Sequence, residues 1–349
     1  MSMLKEGKVP HELLSQICRY TGYRRNSIVH GPFPGFDVGT LDLKEVIEDI
    51  QYFYDTDSVP YMTYKSDPIT FPTSNPARSL IIVNQNDLAT SGSRGYVMTI
   101  TMLFPLETEE ELVLDFQKSL DEVAKNEEIT ILGGHSEVTS AVEKVVLSGS
   151  FIGFVPPEFY IGKDARAGDK IIFSGWVGAE GTGIILEEGR DKIEKYLNDK
   201  EIRKGRTIGS DISISNRVLA VNKLYHEEIS MVHDITEGGF RAAIYESLNP
   251  LNLGAKIEKE ALPVTEVSKK ICKLLDIDPF SLIGSGAVII YSKPESAHNI
   301  VRELQKFDKP AKIVGEVKDS SGIYFDDEQV YSKQTDTIVK ALRNIEKID

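Results

Sequence analysis

Four short apolar or β-type segments of this chain each run into a turn that carries an acidic residue. Gly, Asn, Ser or Pro stands beside each of these residues, so the pattern predicts strands that end in carboxylate-bearing turns. Carboxylates at strand ends can meet at one edge of a sheet. There they can hold Mg²⁺, which takes oxygen ligands and often bridges to phosphates. The acidic residues are Asp37 in PGFDVG, Asp67 in YKSDPIT, Asp87 in IIVNQNDLA and Glu137 in ILGGHSEVT.

Length and charge limit the number of domains and the classes of binding partner that this chain can have. A chain of 349 residues exceeds one ordinary core and predicts two domains. We place them at residues 1–156 and 157–349, because adjacent prolines mark a link there. A net charge of −14 argues against broad binding to nucleic acid or anionic lipid. The sequence shows neither an apolar run of membrane-spanning length nor a signal peptide, so we expect a cytoplasmic protein without a membrane segment.

Apolar patterning predicts an α+β fold, with a mixed sheet in the first domain and helices on one of its faces. SLIIVNQND, residues 79–87, is predicted to be a buried strand. TEEELVLDFQKSLDEVAK, residues 108–125, is predicted to be a helix that begins with a capping box of Thr108 and Glu111. Residues 44–58 form an insertion, either a short helix or an irregular excursion. After the link, alternating strands and helices predict an α/β domain, including a helix that starts near Ser210 or Asp211.

Short motifs exclude some chemistries and leave others open. The sequence has no phosphate-loop motif, no H-E-x-x-H and no C-x-x-C, which argues against a P-loop NTPase and a protein-built zinc site. GGHSE can bring backbone close to a phosphate and project His135 and Glu137 to one side, or it can be a satisfied polar turn. HDITEGG can hold an anion at a helix N-terminus, or Asp234 or Thr236 can be that helix's N-cap.

Taken in chain order, PGFDVGTLDL, KSDPIT, VNQNDLATSG, ILGGHSEVT, GAEGTGI, HDITEGGF and SGAVII resemble one superfamily. It is the aminoimidazole-ribonucleotide synthetase-like, or PurM-like, ATP-binding superfamily, and the resemblance is strongest to its HypE-related archaeal members. The resemblance implies two α+β domains, the first of which pairs with its twin in a homodimer that closes a β-barrel. It also implies ATP and Mg²⁺ as cofactors.

The resemblance further implies roles for individual residues. In the family, acidic positions hold Mg²⁺ on the phosphates of ATP, and this sequence has acidic residues at matching positions. Other polar positions of the family's motifs lie near the same nucleotide-binding cleft. Lys65 and Arg94 stand beside the acidic turns and are candidates for phosphate contact. The assignments are metal ligation by Asp37, Asp67, Asp87 and Glu137, ATP contact by Asn86, Gly133, Gly134, His135, Lys65 and Arg94, and catalysis by His135 and Asp234.

These features support two main hypotheses. The first is an ATP- and Mg²⁺-dependent enzyme that phosphorylates or dehydrates an unidentified small substrate, which a partner protein could supply. HypE proteins carry a cysteine in a C-terminal tail, whereas this sequence ends in RNIEKID, and PGFDVG has one aspartate where the family often has two. These departures favour the second hypothesis, a nucleotide-binding or partner-binding homodimer without turnover. Thiamine-monophosphate kinase activity is a third option.

Overall fold

The computed structural model describes residues 3–69, 75–330 and 335–348. The chain divides into two compact units, one reaching to residue 160 and the other beginning at residue 161. Each unit has its own sheet and its own hydrophobic core. The last residue of the KSDPIT motif, Thr70, lies outside the described residues. Among the described residues, no helix has both the length and the apolar composition that crossing a bilayer requires.

The first unit is built on a five-stranded mixed sheet. The described part of this unit contains seven strands in all, which are β1 Gly7–Lys8, β2 Ile28–His30, β3 Thr40–Leu41, β4 Tyr61–Ile69, β5 Arg94–Phe104, β6 Thr130–Val138 and β7 Val146–Val155. Five of them form the sheet in the order β1-β6-β5-β7-β4, while β2 and β3 pair separately. The neighbours β5 and β6 run parallel, and the other neighbours run antiparallel. This arrangement confirms the predicted mixed sheet.

Four helices accompany this sheet, and they are α1 His11–Ile17, α2 Leu43–Tyr54, α3 Pro76–Thr90 and α4 Glu110–Asn126. Helices α3 and α4 share one side of the sheet, because their side chains Leu80 and Leu120 join Phe151 of β7 in one core cluster. Helix α2 does not join that cluster. Its Ile50 packs in a separate cluster that contains Phe154 of β7. The open question about residues 44–58 is thus resolved as a helix for most of that segment.

The segment 79–87, predicted to be a strand, lies inside helix α3, and that prediction is wrong. Asn75 caps the helix by accepting a hydrogen bond from the Arg78 N–H at 2.9 Å. Pro76 occupies the first turn, where a missing N–H leaves no bond unmade. Ten of the 15 residues of α3 are buried. A helix that is buried on most sides shows a continuous apolar run, which the sequence alone does not separate from a buried strand.

Several predicted boundaries also differ. Asp67 lies within β4, and the glycines of GGHSE lie within β6, so these motifs are strand interiors rather than turns. The predicted capping box of α4 is absent, because Glu109 is the N-cap and the Thr108 hydroxyl donates to the Pro105 carbonyl at 2.7 Å. The backbone therefore continues in extended form through two of the acidic motifs.

The second unit contains a seven-stranded sheet with helices. Its strands are β8 Lys170–Ser174, β9 Ile229–Ile235, β10 Gly254–Ile257, β11 Ala287–Ser292, β12 Ala311–Lys318, β13 Ile323–Phe325 and β14 Glu328–Val330. They lie in the order β14-β13-β10-β12-β8-β11-β9. Its helices are α5 Ala179–Glu188, α6 Arg190–Ile193, α7 Asp199–Ser210, α8 Ser215–Tyr225, α9 Gly239–Leu248, α10 Glu266–Leu274, α11 Ala297–Gln305 and α12 Ile338–Ile345.

Two helix starts in this unit differ from the predictions. Ser210 closes α7 and Asp211 follows it, so neither begins α8. The N-cap of α9 is Gly238, in the left-handed conformation at φ 77°, rather than Asp234 or Thr236. A positive φ suits glycine, which has no Cβ to clash, and it lets the chain turn sharply from β9 into α9.

Candidate functional site

Two of the predicted carboxylates meet around one cation in the first unit. The Lys65 ammonium nitrogen lies 3.0 Å from Oδ2 of Asp67 and 3.1 Å from Oδ2 of Asp87. Lys65 and Asp67 are two residues apart on β4, so both side chains leave the same face of the strand. Asp87 reaches them from α3, which packs against that face. Residues distant in sequence therefore form one compact charged group.

Asn84 explains why strand and helix meet in this register. Its side chain is fully buried on α3, and its Oδ1 accepts a hydrogen bond from the Asp67 N–H at 3.0 Å. Its Nδ2 donates to the Leu80 carbonyl at 2.8 Å. Asn84 and Asp87 are three residues apart and so lie on one side of the helix. Sequence analysis missed Asn84, although the i, i+3 spacing would have indicated it once this segment was assigned as a helix.

The charge balance of this group follows from its geometry. Burial acts to lower the pKa of Lys65, but the negative charges and hydrogen bonds of Asp87 and Asp67 outweigh it, so the pKa lies above its usual value. Lys65 therefore stays an ammonium ion at neutral pH and neutralises one of the two carboxylates. Asn86 lies next in the helix to Asp87, but its side chain is 2% exposed and belongs to the buried part of α3.

His135 and Glu137 form a second group on the opposite face of the sheet. The His135 Nε2 lies 3.1 Å from Glu137 Oε2. Across the sheet, Asp67 of β4 pairs with Gly149 of β7, and Gly149 pairs with Ile100 of β5. Ile100 in turn pairs with Gly134 of β6, so Asp67 and Gly134 point to the same face. Because side chains alternate along a strand, the neighbours of Gly134 point to the other face. Three strand spacings separate the two groups, about 14 Å between backbones.

A cavity of about 410 Å³ lies beside β6 in the same unit. That volume is within the range of pockets that bind small organic ligands. Asp37, Gly133, Gly134 and His135 line it, so four assigned residues share one cavity. A Cβ at position 133 would meet no atom within 4 Å, which leaves room for a ligand against the backbone. Other lining residues, missed by sequence analysis, include Lys8, Cys18, Phe33, Phe36 and Gln117.

The structure places Arg94 apart from the lysine–carboxylate group. Its partner in the sheet is Phe154, five positions along β7 from the partner of Asp67, which corresponds to about 16 Å. Its guanidinium forms ion pairs with Glu128 and Asp49 and lies 4.2 Å from the Phe53 ring centre. These contacts give Arg94 a structural role at the start of β5.

Asp234 belongs to the second unit. It lies on β9 with its residue 8% exposed, and its Oδ1 is 4.0 Å from the His233 Nδ1. Its place before the α9 turn agrees with the sequence expectation of a polar group at a strand end, although the strand continues one residue further.

The group around Lys65 fits a magnesium ion by its donor chemistry. One carboxylate oxygen of Asp67 and one of Asp87 already face the same point, and the Lys65 ammonium group occupies that point. Mg²⁺ commonly uses one or two carboxylates and completes its six ligands with water and phosphate oxygens. Within residues 3–69, 75–330 and 335–348, however, no cluster of three or more His, Cys, Asp or Glu side chains is arranged to hold a metal ion. Asp37 and Glu137 thus do not join Asp67 and Asp87 in a single ready-made site there.

Known proteins with similar sequences include two named for hydrogenase formation or as HypE, and a kinase. A protein of Methanocaldococcus jannaschii, named for hydrogenase expression and formation, is 28% identical over 257 residues, which cover 71% of this chain and 72% of that protein. The carbamoyl dehydratase HypE of Escherichia coli is 25% identical over 299 residues, or 82% of each chain. A thiamine-monophosphate kinase of Pyrococcus abyssi is 23% identical over 266 residues, covering 75% of this chain and 78% of the kinase.

Solved structures show the same fold. The crystal structure of E. coli HypE superposes with a TM-score of 0.74 at 19% identity, covering 92% of this chain and 96% of HypE. HypE in complex with ATP gives a TM-score of 0.67 at 20% identity, covering 85% and 96%. HypE in its complex with HypF gives 0.66 at 22% identity, covering 83% and 99%.

Family models agree with these likenesses. The AIR synthase related protein N-terminal domain matches residues 41–155, and the C-terminal domain of the same family matches residues 166–328. Together the two matches cover most of the chain, and they follow in the order that the family name implies. The chain therefore belongs to the AIR synthase-related, PurM-like family and is related to HypE within it.

Proposed function

We propose that this protein is an ATP- and Mg²⁺-dependent enzyme that phosphorylates or dehydrates a small substrate. The observation that carries the proposal is the convergence of Asp67 and Asp87 on one cation, from a strand and a helix held together by Asn84. Two ionised carboxylates held this close repel each other unless a positive charge compensates them. A site of this kind is suited to a metal–triphosphate, whose phosphates supply the remaining metal ligands.

Relatives support the nucleotide. HypE has been solved with ATP, and a related thiamine-monophosphate kinase with AMPPCP and TMP. Phosphoryl transfer depends on positioning and on neutralisation of charge more than on covalent help from the protein. We assign the first domain, residues 1–156, to nucleotide and metal binding and to dimerisation. Residues 157–349 then form a second domain, in which Asp234 is the candidate catalytic group.

Within this proposal, Asp67 and Asp87 hold Mg²⁺, with Asp37 and Glu137 as further candidate ligands. When bound, the ion would neutralise charge on the phosphates. The open backbone at Gly133 leaves room for a phosphate or sugar at the cavity wall, whereas a Cβ at Gly134 would clash with the Ile100 carbonyl oxygen of the neighbouring strand. Asn86 and Lys65 remain candidate nucleotide contacts, whereas the ion pairs of Arg94 with Asp49 and Glu128 favour a structural role for it. His135, held by its hydrogen bond to Glu137, is positioned to accept or donate a proton at Nδ1.

A homodimer through the part of the first sheet that neither α3 and α4 on one face nor α2 on the other covers is part of the proposal. That part carries small polar side chains, including Ser66 and Ser150, whose hydroxyl oxygens are 3.1 Å apart. At its edge Tyr64 is 64% exposed and Met62 is equally exposed. Pairing with a second copy would bury both and cover that part of the sheet. The solved HypE–HypF complex supports a further possibility, that a partner protein delivers the substrate.

Calorimetry with ATP, with and without Mg²⁺, tests the proposed function. We expect ATP binding that depends on Mg²⁺ and that Asp87→Asn weakens at least about tenfold, a change of about 1.4 kcal/mol. Asp115→Asn is the matched control, because Asp115 is exposed on α4 and pairs only with its helix neighbour Lys118 among the ion pairs described. Absence of ATP binding in the unaltered protein would reject the proposal.

A second function is favoured by one observation. The group formed by His135 and Glu137 lies on the opposite sheet face from Asp67 and Asp87, about 14 Å away, so one protomer does not bring base and carboxylates together. This separation favours a nucleotide-binding or partner-binding homodimer without turnover. Measuring ADP release with a metabolite panel, including thiamine monophosphate, separates the cases. Binding without ADP release supports the second function, and phosphorylation of thiamine monophosphate would identify the kinase.

A further inference from the structure

Lys65 occupies the position that a metal ion would take between Asp67 and Asp87. Its ammonium nitrogen is within hydrogen-bond distance of one oxygen from each carboxylate, at 3.0 and 3.1 Å. An ammonium group has three N–H donors, so two can serve the carboxylates while one remains for another acceptor. The side chain is 34% exposed, which leaves a route for that acceptor from solvent.

The ammonium and a divalent ion exclude each other at this position. A protonated amine has no lone pair and cannot ligate a metal. Two positive ions within about 4 Å of each other repel strongly at the effective dielectric of a protein surface. A metal can therefore bind both carboxylates only when the lysine side chain turns away. The same side chain is always present at high local concentration, because β4 holds its backbone beside Asp67.

We propose that Lys65 is a tethered counter-ion that keeps the Asp67–Asp87 pair closed to divalent metal until a polyphosphate draws its ammonium away. The part that concerns the polyphosphate rests on the proposed function, whereas the exclusion of metal does not. A triphosphate offers the ammonium several anionic oxygens, so the lysine exchanges carboxylates for phosphate as the metal enters. Metal and nucleotide then bind cooperatively, since each removes an obstacle to the other.

Mn²⁺ binding to the full-length protein, measured by electron paramagnetic resonance without nucleotide, tests the exclusion. We expect Lys65→Met, which keeps the length of the side chain but removes its charge, to bind Mn²⁺ at least about tenfold more tightly than the unaltered protein, or about 1.4 kcal/mol. Lys65→Arg retains the charge and should keep weak binding. Lys44→Met is the matched control, because Lys44 is exposed and pairs with Glu48 on α2.

The same titration with a non-hydrolysable ATP analogue tests the exchange. The analogue should tighten Mn²⁺ binding more in the unaltered protein than in Lys65→Met, where no counter-ion has to leave. Equal Mn²⁺ affinity in Lys65→Met, Lys65→Arg and the unaltered protein would overturn the counter-ion role. If the analogue binds to none of them while Lys65→Met still gains Mn²⁺ affinity, the metal exclusion stands, and the polyphosphate step is overturned together with the proposed function.

If Lys65→Met does not fold, as judged by circular dichroism, Lys65→Gln replaces it, because glutamine also removes the charge and should bind Mn²⁺ more tightly than the unaltered protein. Asp87→Asn removes one of the two carboxylates, so its Mn²⁺ binding without nucleotide should remain weak. Strong Mn²⁺ binding by Asp87→Asn would show that the metal site lies elsewhere and would overturn the inference.

Discussion

Asn84 is the side chain that joins strand β4 to helix α3. It is fully buried, and both ends of its amide are used, the oxygen by the Asp67 N–H and the nitrogen by the Leu80 carbonyl. A buried polar group of this kind stabilises only while its partners are present, because an unpaired buried donor or acceptor is costly. The position of Asp67, and with it the geometry around Lys65, therefore depends on a residue outside the charged group.

Replacing Asn84 by alanine should lower the free energy of unfolding by about 2 kcal/mol, because it removes two hydrogen bonds and leaves the buried Asp67 amide without that acceptor. Urea unfolding followed by circular dichroism measures the change. Asn126→Ala is the control, since Asn126 is exposed at the end of α4. Equal destabilisation by the two substitutions would show that Asn84 has no special role.

Glu180 introduces a pH dependence into the second unit. It stands in the first turn of α5, where burial raises its pKa above the usual value of 4.5. The nearby carboxylates of Asp336 and Glu237 act in the same direction, while hydrogen bonding by Ser285 opposes them. A carboxyl group whose pKa is raised on folding contributes stability below its unfolded pKa. That stability is lost as the pH rises through the folded pKa.

Glu180→Gln should remove this loss, because glutamine is neutral at every pH and keeps an oxygen for the Ser285 N–H. The stability of the variant relative to the unaltered protein should therefore increase from about pH 4 to about pH 8. Thermal unfolding across this range measures the difference, with the exposed Glu188→Gln as control. A constant difference at all pH values would contradict the assigned cause.

Among the elements, helix α3 has the greatest influence on the site. It supplies Asp87, it covers β4 and β7, and its start is set by the Asn75 cap and by Pro76. Its hydrophobic residues do not form a stripe, since it is buried on most sides. Stability of such a helix comes from tertiary packing more than from its own propensity, so its cap chiefly determines where it begins.

Asn75→Ala should lower the free energy of unfolding by about 1 kcal/mol through loss of the N-cap, while Asn75→Ser should retain most of it. Asn75 is exposed, so neither substitution opens a cavity in the core. Chemical unfolding of the three proteins tests the cap. The interpretation fails if serine and alanine destabilise the protein equally.

At the scale of the whole molecule, the part of the first sheet that α2 leaves uncovered, opposite α3, is the surface that matters for assembly. Its edge strand β4 carries the exposed apolar side chains Met62 and Tyr64, each 64% exposed. Exposed apolar residues that form a patch mark interaction surfaces more often than scattered ones do. The proposed homodimer would cover this patch.

Tyr64→Glu should therefore shift the protein from a dimer to a monomer of 38.9 kDa, because a buried unpaired charge disfavours association. Light scattering coupled to size-exclusion chromatography measures the mass. Tyr196→Glu, at an exposed tyrosine of the second unit, is the control and should leave the dimer intact. A monomer in the unaltered protein at micromolar concentration would contradict the proposed assembly.

The amino-acid sequence alone was sufficient for the mixed α+β architecture and the family, and its runs YVMTITMLFP and KVVLSGSFIGFV predict the strands β5 and β7. Their apolar runs are long, and Pro105 ends the first of them. It also predicted one metal site of Asp37, Asp67, Asp87 and Glu137, of which Asp67 and Asp87 meet at Lys65 in the structure. These features are local, because patterning and turn residues are written in consecutive positions.

The tertiary structure was needed to decide that SLIIVNQND is a helix, that Lys65 stands between the two carboxylates, and that His135 and Glu137 face the other way. A buried helix and a buried strand share one apolar pattern, and burial is a property of the neighbours rather than of the segment. Likewise, the face to which a side chain points depends on strand register, which a shift of one residue reverses. The choice of partners for each charge was therefore made by packing, and not by the order of residues along the chain.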